Sequence, residues 1–236
     1  MSEKTAIITG GSGNLGKIVS EHFLENGYGI FIPWHKSQGW EELSENLSEE
    51  LHERCRGRRV DLRDEDDVEA FVQEVLSEWG RIDVLLNLVG GFAFGNRIWE
   101  TGLTTWNKMF ELNVTTAFLC CKHVLPVMRE QDSGRIVNVT SKACEDIQSG
   151  SGAYAVAKGA VVTLTRAIHE EVKNTNIAVN AIMPSIIDTP ATRDLMPHED
   201  WDKWVKPEDI AEALLALCSE EGSAVSGSVI RLFGSM

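Results

Sequence analysis

The sequence predicts an α/β fold: one doubly wound sheet of about seven parallel strands with helices on both faces. Three observations carry that expectation. Short apolar runs of strand length alternate with longer segments whose apolar residues recur at helical spacing, and strands that return through a helix lie parallel. A glycine-rich turn, Gly10-Gly11-Ser12-Gly13-Asn14-Leu15-Gly16, joins the first apolar run directly to the first helical stripe. The 236 residues are 43% hydrophobic with no Pro/Ser-rich linker or composition shift, which suits one domain over residues 1–236.

Residues 5–9 are the first strand. Leu15, Ile18, Val19, His22 and Phe23 then trace a helical stripe that stops before Gly27. Glycines let a backbone approach a pyrophosphate, and a helix N-terminus offers unpaired N–H groups to receive it. Gly10, Ser12, Asn14, Leu15 and Gly16 are therefore candidates for holding a dinucleotide. Residues 29–34 form the second strand. An NAD site wants a carboxylate at its end for the ribose 2′-hydroxyl, but here stand Trp34, His35, Lys36 and Ser37, with no acid before Glu41. Lys36 with His35 and the Ser37 hydroxyl suits a 2′-phosphate, which favours NADP(H) and leaves NAD(H) as the alternative. Trp40, Leu43, Leu47 and Leu51 mark one helix, and residues 58–62 a strand that brings Asp61 and Leu62 to its end. Val68, Phe71, Val72, Val75, Leu76 and Trp79 mark a helix with acids at its start; residues 82–89 are the fourth strand, running past Asn87 to Gly90-Gly91.

Residues 92–104 are aromatic and glycine-bearing, with Phe94 and Trp99 available to wall a pocket or to pack in the core. A long helical region, 105–130, carries Asn113 near its middle and Pro126 towards its end, where a kink is expected. Residues 135–140 are the fifth strand, so Ser141 falls at a carboxyl end, where open α/β sheets bind ligands. Past a Gly/Ser-rich joint, Ala153, Ala157, Ala160, Val161, Leu164 and Ile168 recur at helical spacing, which stacks Tyr154 and Lys158 on one face at i and i+4. An ammonium one turn from a phenol favours phenolate by about 3–4 kcal/mol at an effective dielectric near 20, so Tyr154 is expected to titrate near neutral pH. Such a tyrosine can pass a proton while Ser141 holds the reacting oxygen. The same spacing also arises on an ordinary solvated helix face. Residues 177–183 are the sixth strand. The segment 184–206, with three prolines and the pair Trp201/Trp204, reads as a substrate lid. Pro207 with Glu208 and Asp209 opens the last helix, and residues 228–233 supply the last strand.

A formal charge of −14 opposes binding to nucleic acid or to anionic membrane, both of which present phosphate. The five cysteines include no CxxC pair and no His/Cys cluster at zinc spacing, so no metal is expected and the thiols read as reduced, in a cytoplasmic protein. Cys144, three residues past Ser141, is either packing or reactive. The N-terminus enters a strand within a few residues, leaving no room for a signal peptide, and no uncharged apolar run reaches membrane-spanning length.

In this order the features resemble the short-chain dehydrogenases/reductases, in their compact single-domain branch, along nearly the whole chain. TGGSGNLG is similar to the family's glycine turn, with Asn14 where glycine is usual, a residue that tolerates left-handed backbone. The resemblance implies a Rossmann-like fold and an NADP(H)-dependent oxidoreductase reducing a ketone or aldehyde to an alcohol, reversibly. It implies that Asp61, with Leu62, meets the adenine, that the NLVG from Asn87 to Gly90 stands for the family's NNAG, and that Asn113 serves a proton relay. By the same resemblance Ser141, Tyr154 and Lys158 are the catalytic group, Lys158 also holding the nicotinamide ribose, and Pro184, Ile187 and Thr189 in PSIIDTP flank the nicotinamide carboxamide. The loop Trp34 to Ser37 is similar to the ribose-phosphate loop of NADPH-using pteridine reductases. Leu88 and Ser185 depart from the family pattern without removing a reacting group. Family members assemble as homotetramers through the helix bearing Tyr154 and Lys158, so a tetramer or dimer is expected. The alternatives are an NAD-dependent sugar or polyol dehydrogenase and an inert dinucleotide-binding regulator. The net charge argues against acyl groups on an acidic carrier, although Arg97, Lys108 and Arg193 offer local cations; flanking aromatics suggest a partly apolar small-molecule carbonyl.

Overall fold

Continuous burial along the strands decides how the layers form. In β1 (Lys4–Thr9), Ala6 and Ile8 face one side of the sheet and Ile7 the other, and all three are buried. A strand covered on both faces needs helices on both faces. In this computed structural model, which describes residues 4–235, they are supplied in turn. The reading of the N-terminus as lacking a leader falls on residues 1–3, outside the described residues.

The strands β2 (Tyr28–Trp34), β3 (Cys55–Arg59), β4 (Val84–Asn87), β5 (Gly134–Val139), β6 (Ile177–Pro184) and β7 (Val229–Leu232) join β1 in one parallel sheet, ordered β3-β2-β1-β4-β5-β6-β7. On one face, Ala6, Ile8, Ile30, Ile32, Leu86 and Ile182 pack against Val19 and Phe23 of α1 (Asn14–Glu25) and Ile210 and Leu214 of α9 (Pro207–Cys218). On the other, Ile7, Phe31, Leu85, Ile136 and Val179 meet three helices: α4 (Glu65–Trp79), α6 (Thr116–Glu130) and α7 (Gly152–Val172). Each fully buried Ile, Leu or Phe contributes about 1.5–3 kcal/mol. The remaining helices are short: α2 (Ser37–Asn46), α3 (Glu49–Glu53), α5 (Leu103–Phe110) and α8 (Pro190–Leu195).

The structure differs from the sequence reading at four places, each for a local reason. β3 lies about three residues earlier than 58–62, because the edge ladder pairs Ile30 with Cys55 and Trp34 with Arg59, leaving Val60 and Asp61 beyond it. The helix expected through Leu51 breaks after Asn46, where Ser48 caps α3 by accepting from Leu51 N at 3.4 Å. The long region 105–130 is interrupted by a π turn, Glu111–Thr115, and then runs helical through Pro126. Asn113 Nδ2 donates to Met109 O at 2.8 Å, taking the acceptor that an α-helix would give to a backbone N–H. Asn14 opens α1 without left-handed backbone; Asp132 is the one non-glycine with positive φ among the described residues.

Candidate active site

In the order β2-β1-β4 the chain leaves the neighbours β1 and β4 towards opposite faces, which opens a crevice at their carboxyl ends. A cleft of about 670 Å³ lies there. It is lined by Gly10, Ser12 and Asn14 after β1, His35 and Lys36 after β2, Asp61 and Leu62 after β3, and Gly90 after β4. A Cβ on Gly16 would sit 1.9 Å from Gly10 O, so glycine alone lets α1 start against the turn. Gly13 gives α1 no side-chain cap, which leaves first-turn N–H groups for a phosphate. These features fit a dinucleotide. At the end of β2 the exposed Lys36 is the N-cap residue of α2, whose first turn begins at Ser37 and holds no acid.

Not every predicted cofactor residue reaches the cleft. Leu15 packs against the core, and the Asn87 amide is buried, donating to Asn138 Oδ1 at 2.8 Å while Asn138 donates to Thr165 Oγ1 on α7. The Asn87 side chain thus ties β4 to β5 and, through Asn138, to α7. Conversely, the cleft includes residues that motif spacing did not single out. Lys17 pairs with Glu42 across it; the pairing lowers the Glu42 carboxyl, which stays ionised with its charge balanced by the ammonium. Arg63 grips Asp61 through two hydrogen bonds of 2.8 and 2.6 Å, which hold the Asp61 carboxyl down at about 2. The i, i+2 spacing of Asp61 and Arg63 was the signal available for this pair. Leu88 donates its backbone N–H to Thr9 Oγ1 at 3.1 Å, a bond that does not depend on the side chain at this position. Ser185 bonds Phe233 O at 3.0 Å and so anchors the last strand's end.

Beside the cleft the four candidate reacting residues come together. Ser141 follows β5 and caps a short 3-10 turn, Lys142–Cys144, accepting from Ala143 N at 3.2 Å. Tyr154 lies in the first turn of α7 and Lys158 one turn on. Lys158 is only 4% exposed; its Nζ donates to Val139 O at 2.9 Å and its own carbonyl accepts from Thr140 Oγ1. Asn113 accepts from Gly91 N at 3.1 Å and donates to Gly91 O at 3.0 Å, clamping the loop after β4. A Cβ on Gly90 would lie 2.8 Å from Asn113 Oδ1 and 3.0 Å from Lys158 Nζ, so this glycine marks where the two groups meet. Arg231 of β7 grips Glu145, just past this turn, at 2.8 and 2.6 Å.

The electrostatics correct one expectation. Burial pushes the Tyr154 phenol up from its ordinary 10, the neighbouring Ser141 hydroxyl acts the other way and Cys144 adds to the rise. Burial also pulls Lys158 down to about 8. In the protein alone, then, the phenol stays protonated at neutral pH and is not the acidified group that helical spacing suggested. The remaining thiols are inert filler: burial pushes Cys55, Cys121 and Cys218 up to about 12.

After β6 the chain is latched. Ile187 bridges to Val205, and the buried Asp188 carboxylate accepts from Arg193 of α8 at 2.5 and 2.8 Å and from Lys206 at 2.7 Å. Thr189 caps α8, and Arg193 also lies over the Trp201 ring at 4.6 Å. Pro184 is the last residue of β6. On the opposite flank, Phe92 stands perpendicular to Tyr154, ring centroids 5.0 Å apart, and parallel to Phe94 at 6.2 Å. Trp99 is likewise exposed, with Arg97 over its ring. Among the described residues no helix is long and apolar enough to cross a membrane.

The family model for short chain dehydrogenases matches residues 4–200. The chain belongs to that family, whose members are oxidoreductases acting on CH–OH and C=O groups. It is 31% identical over 241 residues to a 3-oxoacyl-[acyl-carrier-protein] reductase of Chlamydia muridarum, covering 99% of this chain and 97% of that protein. It is 30% identical to the cis-4-hydroxycyclohexanecarboxylate dehydrogenase of Sinomonas cyclohexanicum, with 99% and 96% covered. Among solved structures, ElxO with NADP bound superposes with a TM-score of 0.92 at 27% identity, covering 99% of this chain and 98% of that one.

Proposed function

We propose that the chain is an NADPH-dependent reductase of ketones or aldehydes, reversible as an alcohol dehydrogenase, with Tyr154 as the acid and base. The observation that carries this is the meeting of Lys158 and Asn113 at Gly90, on the rim of the dinucleotide cleft and one helical turn from Tyr154. The nicotinamide, when bound, supplies the hydride to the carbonyl carbon. Ser141 and Tyr154 hydrogen-bond the carbonyl oxygen, and Tyr154 gives it the proton as negative charge develops there. A phenol held protonated by burial suits that direction. Lys158 stabilises the phenolate left behind and holds the ribose, while Asn113 fixes the loop against which both sit. Pro184, Ile187 and Thr189 flank the carboxamide, and Asp61 with Leu62 the adenine. NADP(H) is favoured over NAD(H) because Lys36 and the acid-free start of α2 suit a 2′-phosphate, and ElxO was solved with NADP.

The same reading takes residues 184–206 as the substrate lid of a single domain over 1–236, in a cytoplasmic homotetramer or dimer. Exposed Val156 on α7 and Phe118 on α6 are the apolar surface for such assembly. Of the three cations that offered a carrier-protein dock, Arg193 is spent on Asp188 and Trp201, and Arg97 lies over Trp99. The deciding experiment compares NADPH and NADH oxidation across a panel of carbonyl compounds, with wild type and Tyr154→Phe. A rate drop of about 100-fold or more in the variant, with NADPH binding retained, is the expected result. Carbonyl reduction untouched by the substitution would remove Tyr154 from the chemistry, and faster turnover with NADH would favour the NAD-dependent dehydrogenase.

A further inference from the structure

The two segments that flank the Tyr154 phenol carry no charge of their own. Residues 88–96 read LVGGFAFGN and residues 147–157 read IQSGSGAYAVA, twenty positions without one charged side chain. They are joined: Gly95 N donates to Gly150 O at 3.1 Å, and a Cβ on Gly150 would lie 3.1 Å from Gly95 N. On this joined surface Phe92 is 63% and Phe94 57% exposed, whereas Phe23, Phe31 and Phe71 are buried completely or nearly so. The two exposed rings lie parallel within 9°. The nearer one is perpendicular to Tyr154 at 83°, which leaves most of its surface uncovered beside the phenol.

We propose that Phe92 and Phe94 form the substrate platform, and that the preferred substrate is an uncharged carbonyl compound whose carbonyl carbon lies in or beside a ring. The proposal rests on the reductase reading and names the substrate class of that site. Parallel aromatic rings offer a flat, wide apolar surface, which a flat ring covers better than a flexible chain does. A ring also arrives with its torsions already fixed, so seating it costs less conformational entropy than seating an acyl chain of equal carbon count. Neither segment carries a cation, and of the two that adjoin them Arg97 lies over Trp99 and Lys158 donates to Val139 O, so a carboxylate or phosphate beside the carbonyl finds no free counter-charge there, and a many-hydroxyl sugar finds few partners for the groups it would desolvate. Phe92 meets the ring next to the carbonyl, whose oxygen turns to Tyr154, and Phe94 extends the surface outward.

The test uses the whole chain with NADPH and two ketones of equal carbon count, cyclohexanone and 2-hexanone, on wild type, Phe92→Ala and Phe92→Tyr. The expected result is at least a tenfold fall in kcat/KM for cyclohexanone in Phe92→Ala, carried mostly by KM, with less than a threefold change for 2-hexanone and near-complete rescue in Phe92→Tyr. Equal losses for both ketones would mean that Phe92 acts through Tyr154, and no loss for either that the ring is not in contact; each overturns the proposal. If wild type binds NADPH yet reduces neither ketone, the reductase reading is what fails. The platform is then read by saturation-transfer NMR of cyclohexanol on the NADP-loaded protein. A signal lost in Phe92→Ala supports it, and a signal that is absent in wild type or persists in the variant overturns it.

Discussion

Lys158 is buried with its charge facing one backbone carbonyl, and that arrangement has a measurable cost in the cofactor-free protein. Its native value of about 8 lies below the ordinary 10.5, so below pH 8 both native and unfolded chains carry the proton and the full penalty for burying it applies. Between 8 and 10.5 the unfolded chain binds more protons than the native one, and stability rises with pH there. Lys158→Met is expected to be more stable than wild type at pH 7, by roughly 1–3 kcal/mol, with the gap narrowing towards pH 9.5 while activity is lost throughout. Chemical denaturation at the two pH values reads this directly. An unchanged gap across that range would show that the ammonium is not desolvated. Tyr154 and Lys158 were legible from sequence as a pair on one face, whereas their protonation was not, because burial, invisible in the spacing, raises the phenol and lowers the amine.

At the scale of elements, the segment after β6 is held by its start and its end. Asp188 carries both Arg193 and Lys206, which keep its carboxyl well below the usual carboxylate range. A carboxyl depressed in the native state contributes stability above its unfolded value, and the contribution is lost as pH falls through the native one. Asp188→Asn keeps the shape and removes the charge. The expected outcome is faster hydrogen exchange over residues 190–206 and a severalfold higher KM, with the rest of the sheet unchanged; exchange no faster than in wild type would mean that the Ile187–Val205 bridge alone holds the segment. Strands with apolar alternation were readable in the sequence to within a residue or two, as at residues 135–140 and 177–183. The edge strand was not, since Cys55–Arg59 reads CRGRR and owes its place to pairing with β2. The π turn at Asn113 was hidden for a similar reason: a side chain took a backbone acceptor, and no periodicity records that.

For the whole molecule the fold class followed from alternation and one glycine turn, because a right-handed parallel sheet admits few orders once strands and helices take turns. Val156 is nearly half exposed on α7, so Val156→Arg is expected to convert an assembly of two or four 26.1 kDa chains to the single chain in sedimentation, at little cost in folding. A wild type that already sediments as one chain would remove α7 as an interface.

Arg231 reaches back 86 residues to Glu145, three residues past the segment's start at Lys142 and four past Ser141. That contact can close only after β7 has taken its place beside β6, and closures across so long a separation come late. A chain still emerging from the ribosome would hold serine, tyrosine and lysine already made while the turn carrying the serine waits for its final tether.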